Sequence, residues 1–113
     1  MHEYAVTESI VNIVNQEAES RGFKKVTTIA IAIGELSDVI DECVQMYFDI
    51  MSKGTIAECA KLEFNKITTT FICRDCNREF PKTDSALICP YCGGKDIRVE
   101  KGKEFYIEYI EAE

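Results

Sequence analysis

At 113 residues, with 46% hydrophobic side chains, the chain has room for one ordinary domain, or for a modest core plus a small satellite held by something other than apolar area. Its formal net charge is −7, and the deficit is shared by residues 1–72 (6 basic, 11 acidic) and residues 73–113 (7 basic, 9 acidic), so neither part suits a nucleic-acid backbone. No run nears the roughly 20 continuous apolar residues of a membrane span, and the first ten residues lack a basic leader region, so a soluble cytoplasmic protein with no membrane partner is expected.

The chain begins MHEY, and His2 is its one histidine. A histidine so near a terminus has little chance of packing in a core, because chain ends are poorly ordered unless something ties them down. By itself it is an ordinary exposed residue. A Met1 amine, the amide and imidazole nitrogens of His2 and the Glu3 amide can, however, close fused chelate rings on one ion. Four nitrogens in a plane suit Ni²⁺ or Cu²⁺ better than Zn²⁺. The Glu3 carboxylate adds a further ligand or an outer partner.

From Glu3 to Arg21, Val6, Ile10, Ile13, Val14 and Ala18 recur at three- and four-residue steps, which predicts an amphipathic helix stopped by Gly22. KKVTTIAIAIG follows, a β-branched strand with Ile29, Ile31 and Ile33 on one face and Thr28, Ala30 and Ala32 on the other. One bulky side and one close-packed side mark a central strand. After a GELS turn, Ile40, Cys43, Val44, Tyr47, Ile50 and Met51 fit a second helix, with Ser37 or Asp38 as N-cap and Gly54 as terminator. KLEFNKITTTFIC reads as a strand running into Cys73, and Phe105 to Ile110 as a last strand.

Between those strands lies CRDCNREFPKTDSALICPYCGG: Cys73, Cys76, Cys89 and Cys92 form two C-x2-C pairs twelve residues apart. Two residues between thiols let one turn aim both sulfurs at one tetrahedral ion, and two such turns complete a Zn(Cys)4 site. Asn77 and Gly93, which follow the two pairs, are types that accept positive φ, so each turn can curl back with N–H groups toward the thiolates. With all four positions filled the site is structural, and its role is to fold an insertion with little apolar surface of its own. Iron would fit the same four thiolates. CPYC also resembles a glutaredoxin active-site tetrad, but such dithiols need a helix after them, and GGKD resists one. Cys43 and Cys59 sit in apolar patterns and read as small buried hydrophobes.

The predicted fold is α+β: two helices on a three-stranded sheet, with an inserted four-cysteine zinc-ribbon domain. Residues 1–67 plus 104–113 make the α/β domain and residues 68–103 the zinc ribbon. No nucleophile paired with a base, no catalytic carboxylate pair and no phosphate loop is evident, so no enzyme and no catalytic residue is expected.

MHEY at the start, IAIGELSDV, GTIAECAKLEF, the knuckles CRDC and CPYCGG and the terminal GKEFYIEYIE together resemble the HypA family of nickel metallochaperones in [NiFe]-hydrogenase maturation. The resemblance implies a nickel-binding domain with a zinc domain set into it, nickel held by His2 and terminal backbone nitrogens, and delivery to the hydrogenase large-subunit precursor with the GTPase HypB. Some relatives also serve urease. His2 matches the family's nickel ligand, Glu3 the acidic position beside it, and Cys73, Cys76, Cys89 and Cys92 the zinc ligands. This chain departs from some relatives in having no histidine near the knuckles. A zinc-ribbon adaptor for protein or nucleic acid, without a nickel role, is the alternative from another class. Whether two copies form a homodimer is left open by the sequence.

Overall fold

The structure is a computed structural model that describes residues 2–82 and 87–113. Helix α1 (Glu3–Ser20) is followed by strand β1 (Val26–Gly34), helix α2 (Asp41–Met51) and strand β2 (Lys61–Ile67). Strands β3 (Thr70–Cys73), β4 (Glu79–Pro81) and β5 (Ile97–Lys101) come next, and β6 (Phe105–Ala112) closes the chain. They form two three-stranded sheets, ordered β2-β1-β6 and β4-β3-β5.

The α/β part has the expected plan, with β1 in the centre, parallel to β2 and antiparallel to β6. Both helices cover one face: Ile10, Val11, Val14 and Ala18 of α1 and Val44 and Phe48 of α2 share a buried cluster with Ile29, Ile31 and Leu62. Removing a side chain the size of Phe48 from water is worth about 1.5–3 kcal/mol. Helix α1 ends as its sequence predicts. Gly22 takes φ +75, the Phe23 N–H reaches Ala18 O and the Gly22 N–H reaches Glu19 O, the paired closing bonds of a Schellman stop.

The opposite face of β1 carries Ala30 and Ala32, both fully buried although no helix covers them. Longer side chains of the flanking strands cover them instead. Glu63 and Tyr109 both stand beside Ala30, and the Tyr109 hydroxyl donates to Glu63 over 3.4 Å. Asn65, beside Ala32, donates to Glu108 at 2.6 Å.

Five expectations need correction. In α1, Ile13 is 55% exposed and Val11 takes its place in the core. The α2 periodicity is real but its buried stripe is Val44 and Phe48, while Ile40 and Ile50 lie on the outer face. Its N-cap is Ile40, without a side-chain cap; the Ser37 hydroxyl accepts from the Val39 N–H one step earlier, and the helix ends at Ser52, ahead of Gly54. The single strand read through KLEFNKITTTFIC is broken at residues 68–69, because β2 belongs to one sheet and β3 to the other. Finally, Cys59 is exposed, in a turn with φ 69, and Cys43 is only half-buried.

The two sheets meet at a polar joint built by the GELS turn. Gly34 packs so tightly on Gly102 that an added Cβ would stand 2.1 Å from the Gly102 carbonyl oxygen. The Glu35 N–H donates to Ile67 O and the Leu36 N–H to Gly102 O, so one loop holds both chain crossings between the sheets. The Glu35 carboxylate accepts from the Thr69 N–H (2.9 Å) and hydroxyl (3.1 Å), and pairs with Lys82 at 3.6 Å.

Candidate metal centres

The two cysteine knuckles are near copies of each other. Each begins on a backbone exchange, Cys73 N–H to Arg78 O and Cys89 N–H to Gly94 O, and each closes with an N–H returning to the first cysteine's carbonyl, from Asn77 and from Gly93. The closing residues need the left-handed region: Asn77 has φ 61 and Gly93 φ 74. This is the conformation that the sequence assigns to those two positions. The knuckles face each other, and Gly94 leaves room for Asp75, whose carboxylate oxygen would lie 2.4 Å from a Cβ there. Arg78, from the first knuckle, lies over the Tyr91 ring of the second at 5.1 Å from its centroid.

The result is a cluster of four sulfurs, Cys73, Cys76, Cys89 and Cys92, all within 4.8 Å of one another. The Cys73–Cys92 separation is 3.6 Å and the Cys76–Cys89 separation 3.7 Å. A tetrahedral ion with Zn–S bonds of about 2.3 Å sets its sulfurs about 3.8 Å apart, so the cluster has the dimensions of a Zn(Cys)4 site. The Tyr91 N–H points to the Cys89 sulfur at 3.4 Å and the Gly94 N–H to that of Cys92 at 3.3 Å, as second partners of thiolates should.

As free thiols, Cys89 and Cys92 are pushed in opposite directions. Burial would push Cys89 up, but the N–H groups of Cys92 and Tyr91 outweigh it and bring it down to about 7. For Cys92 the Gly94 N–H acts downward, yet the neighbouring Cys73 thiol and burial prevail and push it up to about 12. A cation among the four sulfurs would favour the thiolate form of each.

At the other end of the molecule, Met1 lies outside the described residues. His2 is exposed and forms the N-cap of α1, with its carbonyl accepting from the Val6 N–H at 2.9 Å and its side chain making no cap bond. Glu3 is the first residue of α1, and its carboxylate accepts from the Ile40 N–H at 3.2 Å. The amino terminus is thereby held beside the start of α2. Sequence reasoning treats Ser37 and Asp38 as helix caps and has no signal for this long-range contact, which joins residues 37 positions apart. Arg78 and Tyr91 escape it too; only their places beside the two knuckles mark them.

The chain matches, over residues 1–112, the family model described as hydrogenase/urease nickel incorporation, metallochaperone, hypA. It is 44% identical to a hydrogenase maturation factor HypA of Caldanaerobacter subterraneus subsp. tengcongensis, with both chains covered in full. It is 41% identical to the HypA of Dehalococcoides mccartyi, covering all of this chain and 95% of that one. The fold superposes on a solution structure of HypA protein with a TM-score of 0.83, at 22% identity and covering 99% and 96% of the two chains. It also matches the Ni metallochaperone HypA from Helicobacter pylori with a TM-score of 0.71, at 22% identity and covering 99% and 97%. With its knuckles, its mixed sheet and its full-length match, the chain belongs to the HypA family of hydrogenase and urease nickel-incorporation metallochaperones.

Proposed function

We propose that this chain carries Ni(II) at its amino terminus and hands it on for [NiFe]-hydrogenase maturation, while a structural Zn(II) folds the knuckles. Nickel is cargo here. Its ligands are the Met1 amine, the His2 amide and imidazole nitrogens and Glu3, through its amide or its carboxylate. The observation that carries this reading is the placement of the one histidine: exposed, uncommitted to the helix cap, and one residue ahead of a side chain anchored to α2. Only the first residues of a chain offer an amine, an early amide and an imidazole together.

The zinc assignment draws on four sulfurs with tetrahedral spacing and N–H partners. Zinc there leaves no open position for chemistry. The division into residues 1–67 plus 104–113 and residues 68–103 is supported by two apolar clusters with no member in common. Delivery proceeds by stepwise ligand exchange, with protonation of the amine and imidazole favouring release. The sequence carries no phosphate-loop motif, and in this reading nucleotide hydrolysis belongs to the partner GTPase HypB and the acceptor is the hydrogenase large-subunit precursor. Among the described residues no helix is long and apolar enough to cross a membrane.

The test compares Ni²⁺ binding by the native chain, by His2→Ala and by a version extended before Met1. Both variants should lose the nickel site while keeping one zinc and the native fold. Stoichiometric binding retained by the extended protein would refute the terminal-amine chelate, and loss of fold in His2→Ala would show a structural residue instead. Pull-down with HypB and the precursor tests the partners separately.

A further inference from the structure

Strand β6 is an edge of its sheet, pairing with β1 alone among the described residues. Native edges are commonly blunted by lysine, proline or bulges, and of these β6 has bulges alone. The other edge, β2, carries Lys61 and Lys66, whereas β6 reads FYIEYIEA, eight residues without lysine, arginine or proline. Alongside β6 the helix α1 stands off and leaves a groove. A cavity of about 550 Å³ opens between Ile13, Glu17, Arg21 and Phe23 on one side and Ile107 and Ile110 on the other. A second cavity, of about 230 Å³, shares Ile13 and Ile107 and continues toward Val6 and Phe105. An edge strand beside a helix-walled apolar groove is the geometry in which extended peptides add to a sheet.

We propose that this groove receives an extended segment of a partner protein, which pairs with β6 as a further strand and alternates apolar residues with lysine or arginine. The alternation follows from the two faces of β6. β6 bulges at Glu108–Tyr109, so Ile107 and Ile110 both belong to the face packed toward the helices and stand opposite Ile31 and Ile29, alternate residues of β1. An alternating strand on the outer side would meet them and Ile13 in the same way. On the open face lie Tyr106, Glu108, Tyr109 and Glu111, two carboxylates and two aromatic rings with no cation on the strand itself, while Arg21, in the neighbouring groove, is already paired with Glu17. Lysine or arginine at the intervening positions would pair with those carboxylates and lie over the rings. A second copy is the poorer occupant: its β6 edge has no basic residue to offer, its β2 edge has only Lys61 and Lys66, five positions apart and of which Lys66 already pairs with Asp41, and each chain carries −7. At its Val6 end the groove comes within one helical turn of His2, whose carbonyl bonds the Val6 N–H. A segment seated there would lie along the path to the terminus.

The experiment uses the full zinc-loaded chain without nickel, so its outcome does not depend on the nickel reading. An acetylated nonapeptide alternating lysine and isoleucine is titrated while backbone amide shifts are followed. Its partners in the comparison are a glutamate–isoleucine counterpart and a lysine–isoleucine peptide N-methylated at alternate residues. The lysine peptide should shift amides of β6 and α1, bind at least about tenfold more tightly than the other two, and weaken with salt. Ile13→Glu, at a side chain exposed enough to spare the fold, should weaken it about tenfold with an unchanged helical spectrum. Glu108→Lys with Glu111→Lys should reverse the preference toward the glutamate peptide. Equal binding of the three peptides, shifts confined to other surfaces, or a native dimer whose interface covers β6 would each overturn the proposal.

Discussion

The Tyr109 hydroxyl reaches over the central strand to the Glu63 carboxylate, 3.4 Å away, and the two residues flank Ala30 from opposite sides. Neither α1 nor α2 covers this face, so the pair and its neighbour Asn65–Glu108 take the place of a packing layer above Ala30 and Ala32. Small residues in the central strand are what let the side chains of β2 and β6 meet.

This pair has a measurable titration. The Glu63 charge, then burial, then Glu111 hold the Tyr109 phenol above its ordinary value. A raised folded-state pKa means that the neutral phenol's contribution to stability is present below the ordinary tyrosine value and lost as pH rises through the raised one. Ultraviolet titration should show late ionisation of Tyr109, assigned with Tyr109→Phe, and Glu63→Gln should bring it back toward the ordinary value. An unchanged titration in that variant would remove Glu63 as the cause.

The joint between the sheets should be acid-sensitive. The Thr69 N–H, followed by its hydroxyl, acts against burial, and with the Lys82 charge it holds the Glu35 carboxyl below its ordinary value. A depressed pKa contributes stability above the ordinary carboxylate value, and that contribution is lost as pH falls through the lowered one. Glu35→Gln should therefore abolish the pH dependence of the Thr69 amide shift and widen the range of inter-sheet angles seen by residual dipolar couplings. Lys82→Ala should raise the Glu35 pKa less than loss of the Thr69 donors does.

Gly34→Ala is expected to destabilise the chain by about 1–3 kcal/mol in urea denaturation. The added methyl meets backbone on the Gly102 side, where no rotamer change can relieve it. Stability equal to the parent would show that the strand crossing is looser than the close approach implies.

Removing the proposed zinc with a chelator, or making Cys73→Ser, should unfold one sheet and spare the other. The smaller apolar cluster consists of Cys73, Phe80 and Cys89 with Phe71, Cys76 and Ile97 packed on it, so half its members are thiols of the site. Without the metal that cluster has too little else to hold it. Amide signals of β3, β4 and β5 should collapse, while those of α1, α2 and β1 persist. Collapse of both sets together would mean that the two parts fold as one.

Much of this architecture is legible in the residues because short-range chemistry dictates it. The Ile/Ala alternation of β1, the Gly22 stop and the positive-φ positions after each cysteine pair are local facts. What escapes the sequence depends on three-dimensional partners. The α2 pattern has apolar residues almost all round, and only contact with β1 and α1 selects Val44 and Phe48 over Ile40 and Ile50. The break at residues 68–69 has no glycine or proline to announce it; Thr69 is pulled out of strand register by Glu35, a residue 34 positions earlier. Strands β4 and β5 are three and five residues long, too short for alternation to stand out against the turns around them.

Gly34 ends the central strand, Glu35 and Leu36 clasp the other sheet, and Ile40 takes hold of Glu3 four residues after Leu36. One heptapeptide is thus a common mounting for the core, the knuckle sheet and the amino terminus. Strand end, sheet crossings and Glu3 are registered against one another by a single continuous stretch of backbone, so lengthening it by one residue between Leu36 and Ile40 would displace Glu3 from the knuckle sheet without touching either.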